Sequence, residues 1–241
     1  MALRLASRAR HPGSRAVHGL PAAPRLAGIA VRCVALLGGT FDPVHLGHVA
    51  LATHWMQLLG ADELRVLPAL PWQKASLGAT ANQRADMAQL AFTGQHYPVV
   101  IDRQELERGT PTFTVDTLRN LRAQLGNAVS LAFLMGADQL QKLDTWRDWH
   151  ALFELAHICA AARPGFALDQ LPPAVQDELQ GRMATPERVR TTPAGSICLA
   201  PDLAVDMSST GIRAALQRGE QPSSLISPVV LDYIEQHNLY K

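Results

Sequence analysis

Two histidines three residues apart follow a pair of glycines in the run Gly38-Gly39-Thr40-Phe41-Asp42-Pro43-Val44-His45-Leu46-Gly47-His48. Glycine lets a backbone approach a phosphate closely, because no Cβ intervenes. The histidines open a helical stretch, where free N–H groups and the positive dipole end attract anions. Residues three apart on a helix share a face, so His45 and His48 can enter one pocket. With Gly38, Gly39, Thr40 and Phe41 they form a candidate nucleotide-phosphate site. A metal pair would need about three or four ligands, and no nearby cluster of metal-binding side chains supplies them. His54 lies on a different helix face, and a packed core pair fits poorly beside glycines at a strand end.

A second string of donors comes late in the chain, Met207-Ser208-Ser209-Thr210-Gly211-Ile212-Arg213. Ser and Thr favour helix N-caps, and Ser208, Ser209 and Thr210 would offer N–H and O–H groups to phosphate oxygens. Arg213, one turn in, could bring a bidentate guanidinium to the same phosphates. Taken alone, the string also serves as an ordinary cap followed by an exposed arginine.

These groups need a scaffold, and the hydrophobic pattern supplies one. Strands are predicted at 32–37, 64–67, 99–102, 129–134, 157–162 and 197–200. Helical windows fall at 46–59, 82–92, 114–124, 171–180 and 209–218. Repeated β–α alternation argues for a Rossmann-like, doubly wound, mostly parallel sheet in an α/β fold. Ligands would then bind at the carboxyl ends of the strands, near the switch point. One nucleotide-binding domain is expected over 31–241. Residues 221–241, with Pro222, Pro228 and a helical pattern at 229–237, form a small C-terminal helical cap.

Charge and composition narrow the function classes. Net charge is +1 and aromatic content 5%, which disfavours a nucleic-acid-binding protein or a membrane-surface protein. No stretch of about 18 consecutive apolar residues suggests a membrane span. The first 41 residues contain no Asp or Glu but hold Arg4, Arg8, Arg10, Arg15, Arg25 and Arg32. Segment 1–30 is therefore read as a disordered leader or upstream-start segment, with a transit peptide as the alternative. Pro12, Gly13, Pro21 and Pro24 would break a long amphipathic helix there. Cys33, Cys159 and Cys198 are isolated in apolar runs, the pattern of buried free thiols in a reducing, cytoplasmic compartment. The sequence leaves a homo-oligomer open.

The glycine–histidine string resembles the signature of the HxGH nucleotidylyltransferase superfamily, in the variant carried by bacterial nicotinate-nucleotide adenylyltransferases. Ser208–Arg213 is similar to the family's second signature, at the expected distance near the C-terminus. Between them, Glu105 to Leu118 resembles the stretch that lines the pyridine nucleotide in that family, with Thr112, Phe113 and Thr114 as the carried-over residues. Gly136-Ala137-Asp138 is similar to the family's G-x-D element. There Asp138 would meet a ribose hydroxyl, or cap a helix, or do both. Trp146 stands where the family packs an aromatic ring on the pyridine, while neighbouring Trp149 suits the core. Arg163, in Arg163-Pro164-Gly165, would face nucleotide or lie on the surface. Lys74 ends a Pro-rich loop whose pattern departs from the family's, with Gln73 in place of the common histidine. Arg84 lies in a helix like the family's, with a structural role.

The resemblance implies an adenylyltransferase that joins ATP and nicotinate mononucleotide into nicotinate adenine dinucleotide, releasing pyrophosphate, in NAD biosynthesis. His45, His48 and Arg213 would be its catalytic residues. Mg²⁺ would be carried by ATP rather than by a protein metal site. The same chemistry on nicotinamide mononucleotide, or on another phosphate acceptor, stays open. So does a non-enzymatic nucleotide sensor, disfavoured by the presence of all three motif residues.

Overall fold

Val34 and Leu36 point to one side of the first strand while Ala35 and Leu37 point to the other, and all four are buried. A strand covered on both faces reads as an unbroken apolar run, which is why it is visible in the sequence. The computed structural model describes residues 31–70, 77–110, 112–162, 166–200, 203 and 207–241. The expected leader, Lys74 and Arg163 lie outside the described residues.

In chain order the elements are β1 (Cys33–Gly39), α1 (Leu46–Leu59), β2 (Glu63–Pro68), α2 (Ala81–Phe92), β3 (Val99–Ile101) and α3 (Gln104–Glu107). There follow α4 (Thr114–Leu125), β4 (Ser130–Gly136), a 3₁₀ stretch (Ala137–Thr145), α5 (Ala151–Leu155) and β5 (His157–Ala161). A short 3₁₀ turn (Leu168–Gln170), α6 (Pro173–Gln180), α7 (Pro186–Thr191), β6 (Ile197–Ala200), α8 (Ser209–Gln217) and α9 (Pro228–Gln236) complete them. The strands form one sheet in the order β3-β2-β1-β4-β5-β6, and every pair is parallel. The chain winds outward through β2 and β3, then returns to lay β4 against β1. Beyond the carboxyl ends of β1 and β4 a crevice opens at this switch point.

One core packs α1, α2, α8 and α9 on the sheet, with Trp55, Phe92, Ile212 and Val230 among its buried residues. The other face takes α4, α5, α6 and the long 3₁₀ stretch, with Leu118, Leu140, Phe153 and Val175. All three cysteines are buried and free, and burial pushes each thiol's pKa up.

Two boundaries differ from expectation for local reasons. β1 runs on through both glycines, because Gly38 and Gly39 pair in register with Leu67 and Pro68 of β2. Helix α6 begins at Pro173 rather than at 171: Pro172 is its N-cap residue and a proline occupies the first turn, where no amide partner is lost.

Candidate active site

His45 is the N-cap of α1 in extended backbone geometry, and His48 is the third residue of the helix. Their rings stack with centroids 3.7 Å apart and planes 28° from parallel. The His45 backbone N–H donates to His48 Nδ1 at 3.2 Å. That contact sets the tautomer: with Nδ1 accepting, the proton of a neutral His48 sits on Nε2. Burial holds the His45 pKa down at about 4. Burial, and then the neighbouring His45, hold His48 well below the ordinary histidine value. Both effects favour the neutral ring, so His48 presents an N–H on Nε2.

The turn before the histidines is held from several directions. Phe41 is buried with φ 51°, a left-handed conformation that costs a non-glycine residue free energy. Its ring meets His48 edge-on at 5.0 Å. A Cβ on Gly39 would lie 2.8 Å from the Phe41 ring, so this glycine is needed for packing. Buried Arg84 donates from Nη1 to the carbonyls of Thr40, at 2.5 Å, and Ala69, at 2.7 Å. It thereby ties the end of the first motif to the end of β2, the structural role expected of it.

Asp42 gathers more partners than any turn residue needs. Its carboxylate accepts from Gly78 N–H (3.0 Å), Ala79 N–H (3.1 Å) and the Tyr240 hydroxyl (2.8 Å). Its carbonyl accepts from Arg213 Nη1 at 2.6 Å. Tyr240 is buried, and burial together with the Asp42 bond pushes its pKa up. Replacing Tyr240 with Phe should lower stability by about 1 kcal/mol, a fall in Tm of about 2–4 °C by thermal unfolding. An unchanged Tm would show that this hydroxyl contributes nothing.

The second motif docks directly on the first. Ser208 caps α8 by accepting from Gly211 N–H at 3.1 Å, and the Ser209 hydroxyl donates to the Pro43 carbonyl at 3.0 Å. Arg213 Nη2 lies 3.4 Å from Thr210 Oγ1. The serine hydroxyls and Arg213 thus serve first to join α8 to the histidine turn. Gly47, Met207, Ser208, Ser209, His45, His48, Gly136 and Asp138 help line a cavity of about 330 Å³, whereas Thr210 and Arg213 are not on its wall. A Cβ on Gly136 would meet the Asp138 carboxylate, and the exposed Asp138 side chain would have to turn away.

A neighbouring cavity of about 410 Å³ is lined by Thr112, Phe113, Thr114, Gln139, Lys142, Thr145, Trp146 and Arg147. Gln139 belongs to the walls of both, so the two cavities adjoin. Buried Glu105 shapes the second by accepting from the hydroxyls of Thr112 and of Thr117, the latter at 2.7 Å. Trp146 packs edge-on to Phe133 at 6.3 Å, and Trp149 is buried in the core. Asp138 lies on the histidine side rather than with Thr112–Thr114 and Trp146. Sequence reasoning missed Gln139, Lys142, Arg147 and the holding roles of Asp42 and Tyr240. Asp42, inside the first motif, offered a signal, because an acid beside His45 invites the question of what it holds.

Residues 36–215 match the family described as cytidylyltransferase-like. A Herminiimonas arsenicoxydans protein named "probable nicotinate-nucleotide adenylyltransferase" is 58% identical over 213 residues, covering 87% of this chain and 97% of that protein. This chain belongs to the nicotinate-nucleotide adenylyltransferase family. A second member, from Chromobacterium violaceum, is 42% identical over 210 residues, covering 86% of this chain and 98% of its own. The fold is shared with the nicotinic acid mononucleotide adenylyltransferase of Plasmodium falciparum complexed with NaAD. That match has TM-score 0.67 at 18% identity, over 87% of this chain and 97% of the other. In this family member both signatures meet at the switch point, joined by the Ser209–Pro43 and Arg213–Asp42 bonds.

Proposed function

We propose that this chain transfers the adenylyl group of ATP to nicotinate mononucleotide, giving nicotinate adenine dinucleotide and pyrophosphate. The observation that carries this reading is the pair of adjoining cavities sharing Gln139. One has phosphate-binding chemistry: the His48 N–H donor and the openings of α1 and α8, which bring His45, Ser208 and Ser209 to its wall. The other has a tryptophan wall suited to a flat, electron-poor ring.

ATP would lie with its phosphates against the turn from Gly38 to Phe41 and the serines, with Thr210 and Arg213 in the adjoining first turns of α8; the resemblance adds Arg163 to this set. The acceptor's pyridine would occupy the Thr112–Trp146 cavity, and the resemblance assigns Lys74 to its phosphate. An oxygen of the acceptor phosphate attacks the α-phosphorus of ATP. The bond from that phosphorus to the bridging oxygen breaks, and pyrophosphate leaves with the electron pair. No proton need be abstracted, because the acceptor phosphate is already ionised. The protein's work is to align two anions that repel one another and to stabilise charge on the transferring group. His48 Nε2–H donates to an α- or β-phosphate oxygen, while His45 fixes its ring.

Mg²⁺ would be carried by ATP, largely water-ligated, and would supply charge neutralisation to the phosphates. Among the described residues that line the histidine cavity, Asp138 is the one carboxylate. Among the described residues, no group of three or more His, Cys, Asp or Glu could hold a resident ion. The buried free thiols support a reducing, cytoplasmic setting. Among the described residues, no helix is long and apolar enough to cross a membrane.

Purified protein given Mg²⁺, ATP and nicotinate mononucleotide should release one pyrophosphate for each dinucleotide formed. Absence of both products would overturn the assignment.

A further inference from the structure

The two candidate acceptors differ at one group: nicotinate mononucleotide has a ring carboxylate where nicotinamide mononucleotide has a neutral amide. We infer that Arg147, seconded by Lys142, gives the acceptor cavity its preference for the carboxylate. The inference rests on the adenylyltransferase reading of this site. Among the residues lining the cavity, Lys142 and Arg147 are the charged ones, and both are cations. Lys142 makes no ion pair among the described residues. Arg147 holds its guanidinium 4.8 Å above the Phe113 ring, which orients it, and lies 3.7 Å from Asp116 Oδ2. That carboxylate is shared with Arg119 Nη1 at 3.3 Å, so Arg147 is only loosely engaged.

The direction of the acceptor follows from the chemistry. Its phosphate must reach the α-phosphorus on the histidine side of Gln139, which leaves the pyridine at the far end, beside Trp146. Arg147 adjoins Trp146 in the chain and lines the same cavity. A planar guanidinium matches a carboxylate with two parallel hydrogen bonds, and an amide offers it a single neutral oxygen. The cavity's charge therefore rewards the acid and gives the amide little.

The test compares wild type, Arg147→Gln, Arg147→Lys and Lys142→Gln with each acceptor, reading kcat and KM separately. In Arg147→Gln the ratio of kcat/KM for the acid over the amide should fall by about 30-fold, chiefly through a raised KM for the acid. Arg147→Lys should recover part of the ratio, and Lys142→Gln should lower it less. Titration of tryptophan fluorescence with each mononucleotide provides a binding readout that needs no turnover, and it should show the same loss for the acid alone. An equal loss with both acceptors would overturn the inference, placing Arg147 on the shared ribose phosphate. An unchanged ratio would overturn it too. Wild-type protein that turns over neither acceptor would instead overturn the adenylyltransferase reading itself, and this inference with it.

Discussion

Replacing His48 with alanine should lower turnover by about 100- to 1,000-fold, the cost of one donor aimed at charge developing in a transition state. The side chain's Nδ1 is occupied by the His45 N–H, so Nε2–H is the group lost. Stability should fall by only about 1 kcal/mol, because what remains is an uncapped amide at the start of α1. Steady-state turnover and chemical denaturation on one preparation would separate the two effects. If turnover stays near that of wild type, His48 does not act on the transferring group.

The same tautomer argument sets the pH dependence. Both histidines have folded-state pKa values below the unfolded ones, with His45 at about 4. In the free protein they stay neutral near neutrality, so kcat/KM should show no dependence on their protonation between about pH 6 and pH 8. As pH falls below the ordinary histidine value, the unfolded chain binds protons that the folded chain refuses. Stability contributed by these groups therefore declines from about pH 6.5 downward and not on the alkaline side.

The largest stability loss is expected from Asp42→Ala, at about 3–5 kcal/mol. The substitution strips the acceptor from two backbone N–H groups and the buried Tyr240 hydroxyl, and leaves Arg213 Nη1 without the carboxylate 3.9 Å away. Set against a total stability of about 5–15 kcal/mol, this is a large fraction. Turnover should fall as well, because the turn that Asp42 holds carries His45 and His48. Asp42→Asn, which keeps the shape and one acceptor oxygen, should cost less than Asp42→Ala. A denaturation midpoint unchanged in Asp42→Ala would show that the network contributes little.

The strands were legible because most are apolar runs bounded by turn residues, β2 with Glu63 and Arg65 being the mixed one, and their β–α alternation pointed to the switch point. The helices at α1, α2 and α4 were legible for their length. Helices α3, α5 and α7, of four, five and six residues, are too short to show a helical period. The 3₁₀ stretch Ala137–Thr145, which carries Gln139 and Lys142, has no 3.6-residue repeat to reveal it. Arg213 was legible as a cation at a helix start. Its partner Asp42 lies 171 residues away, and that of Tyr240 198 residues away, so neither bond leaves a local pattern. Arg147 reads locally as one surface charge among many; only the fold brings it to the same cavity as Thr112 and Trp146.

Direct transfer between two nucleotides in adjoining cavities makes a stereochemical demand. ATP carrying sulfur in one known configuration at the α-phosphorus, reacted with nicotinate mononucleotide, yields a dinucleotide whose phosphorus configuration can be read. A single in-line displacement by the acceptor phosphate predicts inversion. Retention would mean two successive displacements through a covalent adenylyl-protein, and would contradict a site in which His48 only donates a hydrogen bond.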